Sequence, residues 1–111
     1  MEVTQDKRGT VTRLGLHGKL DASTAPRLEE KLLALIQVGE KHLIVNGEHL
    51  DYISSAGLRV LLVAAKRLKP LNGRIVLACL KAHIKEVFEI AGFAAIFPMY
   101  DGEEEAVRSF Q

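Results

Sequence analysis

The chain has 111 residues, 48% of them hydrophobic and 26% charged, a composition typical of one globular domain spanning residues 1–111. Its 15 basic and 14 acidic residues give a net charge of +1 without a concentrated basic stripe, so nucleic acid is not expected as a direct partner. The longest apolar runs, residues 60–65 and 75–80, are too short to cross a bilayer, and the first residues lack the apolar core of a signal peptide; we therefore expect a cytoplasmic protein without membrane insertion.

The first segment of the chain predicts a β-hairpin. Residues 2–5 and 10–17 flank a polar stretch at residues 6–9, which predicts the turn. In the second strand, Leu14 and Leu16 alternate with polar or small residues, as expected of a strand with one buried face. We expect this hairpin to form an antiparallel edge of a sheet.

The next segment predicts an amphipathic helix that begins after a polar turn. Asp21, Ser23 and Thr24 offer side-chain oxygens that suit the start of a helix. Apolar residues then recur at helical spacing to about Val38, and Gly39 suits the left-handed position that follows many helices.

The middle of the chain predicts two buried strands with a helix between them. Residues 42–45 and 75–80 are short apolar runs with β-branched residues, as in the central strands of a parallel sheet. A loop over residues 47–54 is expected to lead from the first strand into an amphipathic helix that ends before Pro70.

The last third of the chain predicts a helix that ends before Gly92, a strand at residues 96–99 and a short final helix. Asp101 and Glu104 resemble a capping box that opens this last helix, which is expected to reach Phe110. Strands that alternate with helices predict an α/β fold, or α+β by strict naming: a mixed, largely parallel sheet with an N-terminal antiparallel hairpin and about four helices.

Residue types that often form catalytic or metal sites show no such pattern here. Cys79 lies within an apolar run and is expected to be an inert core residue. The histidines lack the spacing of zinc ligands and are expected at surface or edge positions; they are His17, His42, His49 and His83. There is no Gly-x-Ser-x-Gly, Walker or Gly-x-Gly-x-x-Gly motif, so we expect no catalytic activity, no metal and no cofactor.

Two adjacent serines, Ser54 and Ser55, lie where the predicted loop meets the start of the second helix. Serine is a favoured N-cap, because its hydroxyl accepts a hydrogen bond from the first free amides, and this explains one of them. A phosphoryl group there would add about 1.5 to 2 negative charges beside those amides and the positive end of the helix. We expect the helix to tolerate such a phosphate, which would act by disturbing an interface.

Three parts of the sequence resemble the anti-sigma factor antagonists built on the STAS domain, and the resemblance covers nearly the whole chain. They are Gly18-Lys19-Leu20-Asp21, Tyr52-Ile53-Ser54-Ser55-Ala56-Gly57-Leu58, and Gly92-Phe93 with Ile96-Phe97. The resemblance implies that Ser55 is phosphorylated by a partner that is both a serine kinase and an anti-sigma factor. Only the unphosphorylated form would bind this partner, a PP2C-type phosphatase would restore that form, and the domain itself would catalyse nothing.

The resemblance also implies a docking face at the predicted loop ends. Its candidate residues are Asp21, Ser23, Thr24, Ser54, Ser55, Ala56, Gly57 and Arg59. Arg59 also has a structural explanation as a solubilising residue on a helix, and Asp21 has one as a cap.

The sequence departs from the family pattern at three positions. Ser54 and Asn46 stand where aspartate is common, and Gly47 replaces an apolar residue. The loss of two carboxylates near Ser55 is expected to make a phosphate there electrostatically less costly.

A competing interpretation keeps the fold and removes the phosphoswitch. STAS domains also serve as accessory subunits of lipid-transport complexes, as stressosome components and as tails of anion transporters. The intact block Ser55-Ala56-Gly57-Leu58 favours phosphoregulation over a purely structural docking role.

Overall fold

A computed structural model describes all residues of the chain, 1–111. Five strands form one sheet in the order β1-β2-β3-β4-β5, antiparallel between β1 and β2 and parallel elsewhere, which confirms the predicted fold class. The elements in chain order are β1 (Glu2–Arg8), β2 (Val11–Leu20), α1 (Ala25–Gln37), β3 (His42–Ile53), α2 (Ser55–Leu68), β4 (Arg74–Ala78), α3 (Ala82–Ile90), β5 (Met99–Tyr100) and α4 (Glu103–Arg108), with 3-10 turns at Lys69–Leu71 and Phe93–Ala95.

The sheet buries apolar side chains on both faces. Leu43 and Val45 of β3 belong to the larger cluster, which packs α1, α2 and α3 against one face. Ile44, between them, points to the other face, where it packs with Val76 of β4 and Ala106 of α4. The strict alternation of strand side chains thus divides one strand between two cores.

The helix boundaries agree with the periodicity of the sequence. Helix α1 ends at Gln37, and Gly39 follows with a φ of +96°, in the left-handed region predicted for it. Helix α3 ends at Ile90, and Gly92 has a φ of +80°. These glycines end helices because a residue with a Cβ rarely adopts such angles.

The hairpin turn is tighter than predicted. Strand β1 continues through residues 6–8, and Arg8 pairs with Val11, so that only Gly9 and Thr10 form the turn. Gly9 has a φ of +64°, which suits a two-residue hairpin turn with glycine in its first position. The prediction of a turn at residues 6–9 was wrong because an exposed edge strand carries the polar residues that also mark turns.

Strand β3 is much longer than predicted, and the expected loop over residues 47–54 does not exist. The strand pairs with β2 as far as Leu20 and Ile53, with two register shifts along the way. Leu50 and Ile53 are buried, so the second half of β3 is part of the core. The sequence does not reveal this second half as a strand, because the register shifts interrupt the alternation of apolar and polar residues by which strands are recognised.

The second half of β3 extends past the end of β4, whose pairing with it stops at Asn46. The start of α3 covers the edge that is left: Nε2 of His83 donates to the carbonyl oxygen of Asp51 at 2.8 Å. The Lys81 ammonium binds the Asp51 carboxylate and holds the pKa of Asp51 below its ordinary value. An edge covered in this way is protected from pairing with another chain.

Three predictions near the end of the chain were wrong in detail. Strand β4 ends at Ala78, and Cys79 is only partly buried, with a φ of +58°, so it is not a core residue. The last strand begins at Met99, because the chain first makes a 3-10 turn that leaves Ile96 45% exposed.

The histidines are exposed or half-buried, as predicted.

Helix α4 is fixed to the sheet by Glu103, not by the predicted capping box. The Glu103 carboxylate accepts hydrogen bonds from Asn46 Nδ2 at 2.8 Å, from Arg8 Nη2 at 3.1 Å and from Arg13 Nε. The predicted partner Glu104 is exposed, Gly102 occupies the N-cap position, and the helix ends at Arg108 rather than near Phe110.

The pKa of Glu103 reflects these contacts. Burial raises it, but the hydrogen bonds from Arg13 and Asn46 and the charges of Arg13 and Arg8 outweigh burial and hold the pKa below its ordinary value. The ionised carboxylate therefore stabilises the folded chain.

We expect Glu103→Gln to lower the free energy of unfolding by about 1–3 kcal/mol at pH 7, because two guanidinium groups lose a charged acceptor. The folded-state pKa lies below the ordinary 4.5, so the contribution is present above that pH and is lost as the pH falls through the folded-state pKa. Urea denaturation of the variant and the parent at pH 7 and at several acidic pH values measures both effects.

The matched control is Glu104→Gln, since the Glu104 side chain is 81% exposed and its one ion pair, to Arg108, spans 3.8 Å. This control should change stability by less than about 0.5 kcal/mol. Equal losses in the two variants, or a difference between Glu103→Gln and the parent that persists unchanged in acid, would contradict the assignment.

Candidate functional site

The predicted site residues meet at the carboxyl edge of the sheet, where β2 and β3 end side by side. The amide of Ser54 donates a hydrogen bond to the carbonyl oxygen of Leu20 at 2.9 Å. The turn after β2 and the start of α2 therefore lie next to each other. In open parallel sheets this edge is where binding sites gather.

Gly57 allows the first turn of α2 to pack directly on β2. A Cβ at this position would lie 2.7 Å from Cγ of Leu20 and 3.0 Å from Cγ1 of Ile53. Leu20 is fully buried, so a shift of its side chain would disturb the core around it. Gly57 is itself buried, so it supports the candidate surface from beneath and contributes no side chain to it.

The two serines have opposite environments. Ser54 occupies the N-cap position in an extended conformation, but its hydroxyl is buried and makes no hydrogen bond. Ser55 is the first residue of α2 and is exposed. Neither hydroxyl caps the helix, so the structural explanation by side-chain capping is wrong for both serines.

The electrostatic surroundings of Ser55 favour an anion. The first turn of α2 contains no acidic residue, and its amides have no side-chain partner. Arg59 is exposed, lies one helical turn from Ser55 and forms no ion pair. Side chains four residues apart face each other on a helix, so the arginine is within reach of a group on Ser55.

Asp21 organises the turn that leads into α1. Its Oδ1 accepts hydrogen bonds from Ser23 Oγ at 2.7 Å, from the Ser23 amide at 3.0 Å and from the Thr24 amide at 3.2 Å. The hydrogen bond from the Ser23 hydroxyl is the main cause that holds the pKa of Asp21 below its ordinary value. Thr24 occupies the N-cap position of α1, and no side chain bonds the first helical amides, so the prediction that Asp21 caps the helix was wrong: its carboxylate closes the turn before the helix.

Thr24 joins this turn to the end of β2. Its hydroxyl donates to the carbonyl oxygen of Lys19 at 2.9 Å and accepts from the Asp21 amide at 2.9 Å. The turn is therefore held in one shape beside Ser55.

Two residues outside the predicted set flank the site. Lys19 and Tyr52 pair in the register of β2 and β3, and both are exposed; Tyr52 is 48% exposed. Aromatic residues are enriched at interfaces, so the exposure of the Tyr52 side chain marks it as a candidate contact for a partner. Tyr52 was predicted only as part of a loop over residues 47–54, and the direction of its side chain became clear only with the strand register.

The departures from the family pattern are not equally close to the site. Asn46 is buried and lies seven residues before Ile53, about 23 Å along a strand. The expectation that its missing carboxylate eases a phosphate on Ser55 was wrong, because the separation exceeds the screening distance of about 8 Å in physiological salt. Of the two positions, only Ser54 lies close enough to Ser55 to change the electrostatic cost of a phosphate there.

The chain lacks two further features that would point to a different function. No group of three His, Cys, Asp or Glu side chains is placed to hold a metal ion. No helix combines the length and the apolar composition that a membrane crossing requires.

Comparisons with known proteins agree in one family. The STAS domain model matches residues 2–106. BtrV of Bordetella bronchiseptica, provisionally named an anti-sigma factor antagonist, is 42% identical over 111 residues, which cover 100% of this chain and 96% of that protein. The anti-sigma-B factor antagonist of Staphylococcus aureus is 33% identical over 101 residues, 91% of each chain.

A solved structure with the same fold is that of SpoIIAA from Bacillus. Its phosphorylated form matches with a TM-score of 0.78 at 23% identity, over 99% of this chain and 100% of that one. The unphosphorylated form, an anti-sigma factor antagonist by its description, matches with a TM-score of 0.86 at 23% identity, over 98% of this chain and 96% of that one.

We expect Gly57→Ala to destabilise the chain. Alanine favours a helix by up to about 1 kcal/mol over glycine, but its Cβ would overlap the buried Leu20, and overpacking costs about 1–3 kcal/mol. Thermal denaturation should therefore show a lower Tm. Ser55→Ala, in the same helical turn but exposed, should leave the Tm within about 2 °C of the parent; a higher Tm for Gly57→Ala would refute the close packing.

Proposed function

Because the chain belongs to the STAS-domain family of anti-sigma factor antagonists, we propose that it sequesters an anti-sigma factor that is also a serine kinase, and that phosphorylation of Ser55 releases this partner. In this proposal residues 1–111 act as one cytoplasmic module in a partner-switching pathway. A PP2C-type phosphatase removes the phosphate and restores binding.

The observation that carries the proposal is the exposed hydroxyl of Ser55 at the start of α2. A kinase can reach it, whereas the buried hydroxyl of Ser54 is closed to an enzyme. The free amides and the positive end of the helix would stabilise the added charge. Phosphorylation is therefore compatible with folding, and the phosphorylated form of SpoIIAA shows that this fold accommodates phosphorylation in that protein.

Phosphate would weaken binding in two ways. It would place about 1.5 to 2 negative charges in the docking face, where burial against a partner costs desolvation. It would also pair with Arg59 one turn away and occupy a cation that the unphosphorylated form leaves free for a carboxylate of the partner. Both effects act on the surface formed by Asp21, Ser23, Thr24, Ser54, Ser55, Ala56 and Arg59 with Gly57 beneath.

The proposal makes the chain a substrate and a ligand, not an enzyme. Ser55 hydrogen-bonds no histidine: His83 is engaged with the backbone of β3, and His17 and His49 stack on each other. The serine thus lacks the base that would turn it into a nucleophile.

Incubation with ATP and a purified anti-sigma factor that has serine kinase activity should add one phosphate, located by mass spectrometry on Ser55. Ser55→Ala should remain unmodified, and Ser54→Ala should be modified like the parent. Phosphate on Ser54, or on neither serine, would refute the assignment.

Binding to the same kinase, measured by isothermal titration calorimetry, should be retained in Ser55→Ala and weakened about tenfold or more in Ser55→Asp, since desolvating a carboxylate in the interface and occupying Arg59 together cost more than about 1.4 kcal/mol. Thr10→Asp adds the same charge at the exposed hairpin turn and serves as the control, with binding like that of the parent. Equal binding by Ser55→Asp and Ser55→Ala would contradict the phosphoswitch. It would favour the alternative in which the chain is a STAS docking subunit without such a switch.

A further inference from the structure

One stretch of the sequence carries a strong excess of positive charge and the rest an excess of negative charge, although the net charge is only +1. Residues 52–85 contain seven of the 15 Lys and Arg residues and none of the 14 Asp and Glu residues, so this stretch carries +7 and the rest −6. The seven residues are Arg59, Lys66, Arg67, Lys69, Arg74, Lys81 and Lys85. The stretch runs from the end of β3 through α2 and β4 into the start of α3.

Three of these cations border an apolar groove at the end of α2 that is remote from Ser55. The groove has a volume of about 420 Å³, Leu62 and Ile96 contribute to its apolar part, and Lys66, Lys69 and Arg74 line it. No acidic residue lines it. We call this surface the basic groove.

The cations of the basic groove are not neutralised within the chain. Lys66, Lys69 and Arg74 form no ion pair. Arg74 is held in place, because its guanidinium lies 4.7 Å from the ring centre of Phe110 and donates to the carbonyl oxygen of Ser109, but neither contact removes its charge.

Helix α2 alone does not account for the groove. Lys66 complements the negative end of the helix dipole, as basic residues in a last turn commonly do. Lys69 and Arg74 lie beyond the helix, and the dipole gives no reason for Ile96 to be 45% exposed beside them. An exposed apolar patch within a border of one charge sign is typical of an interaction surface.

We propose that the basic groove binds an acidic, amphipathic segment of a partner protein. The apolar floor suits leucine-like side chains that recur along one face of a helix, and the cations suit carboxylates on its flanks. An uncharged apolar segment would bury the three cations without partners, which is costly. A nucleic acid would satisfy the cations and leave the apolar floor unused.

Binding in the groove is independent of phosphate on Ser55, and the proposal does not rest on the phosphoswitch. Lys66 follows Ser55 by eleven residues, about 16 Å along the helix. This is about twice the screening distance in physiological salt. The two ends of α2 can therefore serve different partners, one regulated by phosphate and one not.

The probe is a fluorescein-labelled peptide of about 18 residues with leucines at helical spacing on one face and glutamates on the other. Fluorescence anisotropy should show saturable binding to the parent protein. Lys66→Glu/Lys69→Glu should weaken it about tenfold or more, as should Ile96→Ser, and about 0.5 M NaCl should weaken it severalfold. These side chains are exposed, so the variants are expected to fold, and circular dichroism checks this.

The matched control is Arg27→Glu/Lys31→Glu, which reverses two charges on α1 and should leave the affinity within about twofold, as should Ser55→Asp. No binding at about 1 mM protein, or equal binding of a peptide of the same composition in shuffled order, would overturn the proposal. Tighter binding of labelled single-stranded DNA would assign the groove to nucleic acid instead, and dimerisation abolished by Lys66→Glu/Lys69→Glu would assign it to a second copy. A loss of affinity in Ser55→Asp would refute independence.

Discussion

The parallel pairing of β2 with β3, continued to Leu20 and Ile53, determines where every residue of the candidate site lies. Because both strands end at the same point, the turn into α1 and the first turn of α2 start side by side. The hydrogen bond from the Ser54 amide to the Leu20 carbonyl fixes their relative height. Gly57 then lets α2 rest on Leu20 without an intervening side chain, so the exposed Ser55 is presented from a rigid base.

The same pairing shows why some elements were predicted and others were not. Helices α1, α2 and α3 bury one continuous stripe, and this periodicity survives in the sequence. The second half of β3 does not show it, because its register against β2 shifts twice. Gly47 was interpreted as part of a loop, yet it lies inside a strand, and a reason for a glycine there is that a Cβ would come within 2.6 Å of Cδ2 of Leu80, which would have to shift. Such a reason involves a residue 33 positions away in the sequence and cannot be found locally.

The sequence located the candidate site better than it assigned the roles within it. It placed two serines at a helix start and a polar turn around Asp21 before the neighbouring helix, since both patterns are local. It could not tell Ser54 from Ser55, because the difference between them is the burial of one hydroxyl. It also treated the charges as scattered, although residues 52–85 contain no acidic residue; what the fold adds is the exposed Ile96 beside Lys66, Lys69 and Arg74.

The two replacements of a common family aspartate have different consequences, which the structure separates. At position 46 the side chain is buried, and its Nδ2 donates to Oε1 of Glu103 at 2.8 Å. An aspartate there would set two carboxylates against each other, so Asn46 and Glu103 depend on one another and belong to the attachment of α4. At position 54 the replacement removes a carboxylate beside Ser55 and leaves a hydroxyl that bonds to nothing. Only this second change alters the field that a phosphate on Ser55 would meet, and it does so in the direction that makes the phosphate easier to hold.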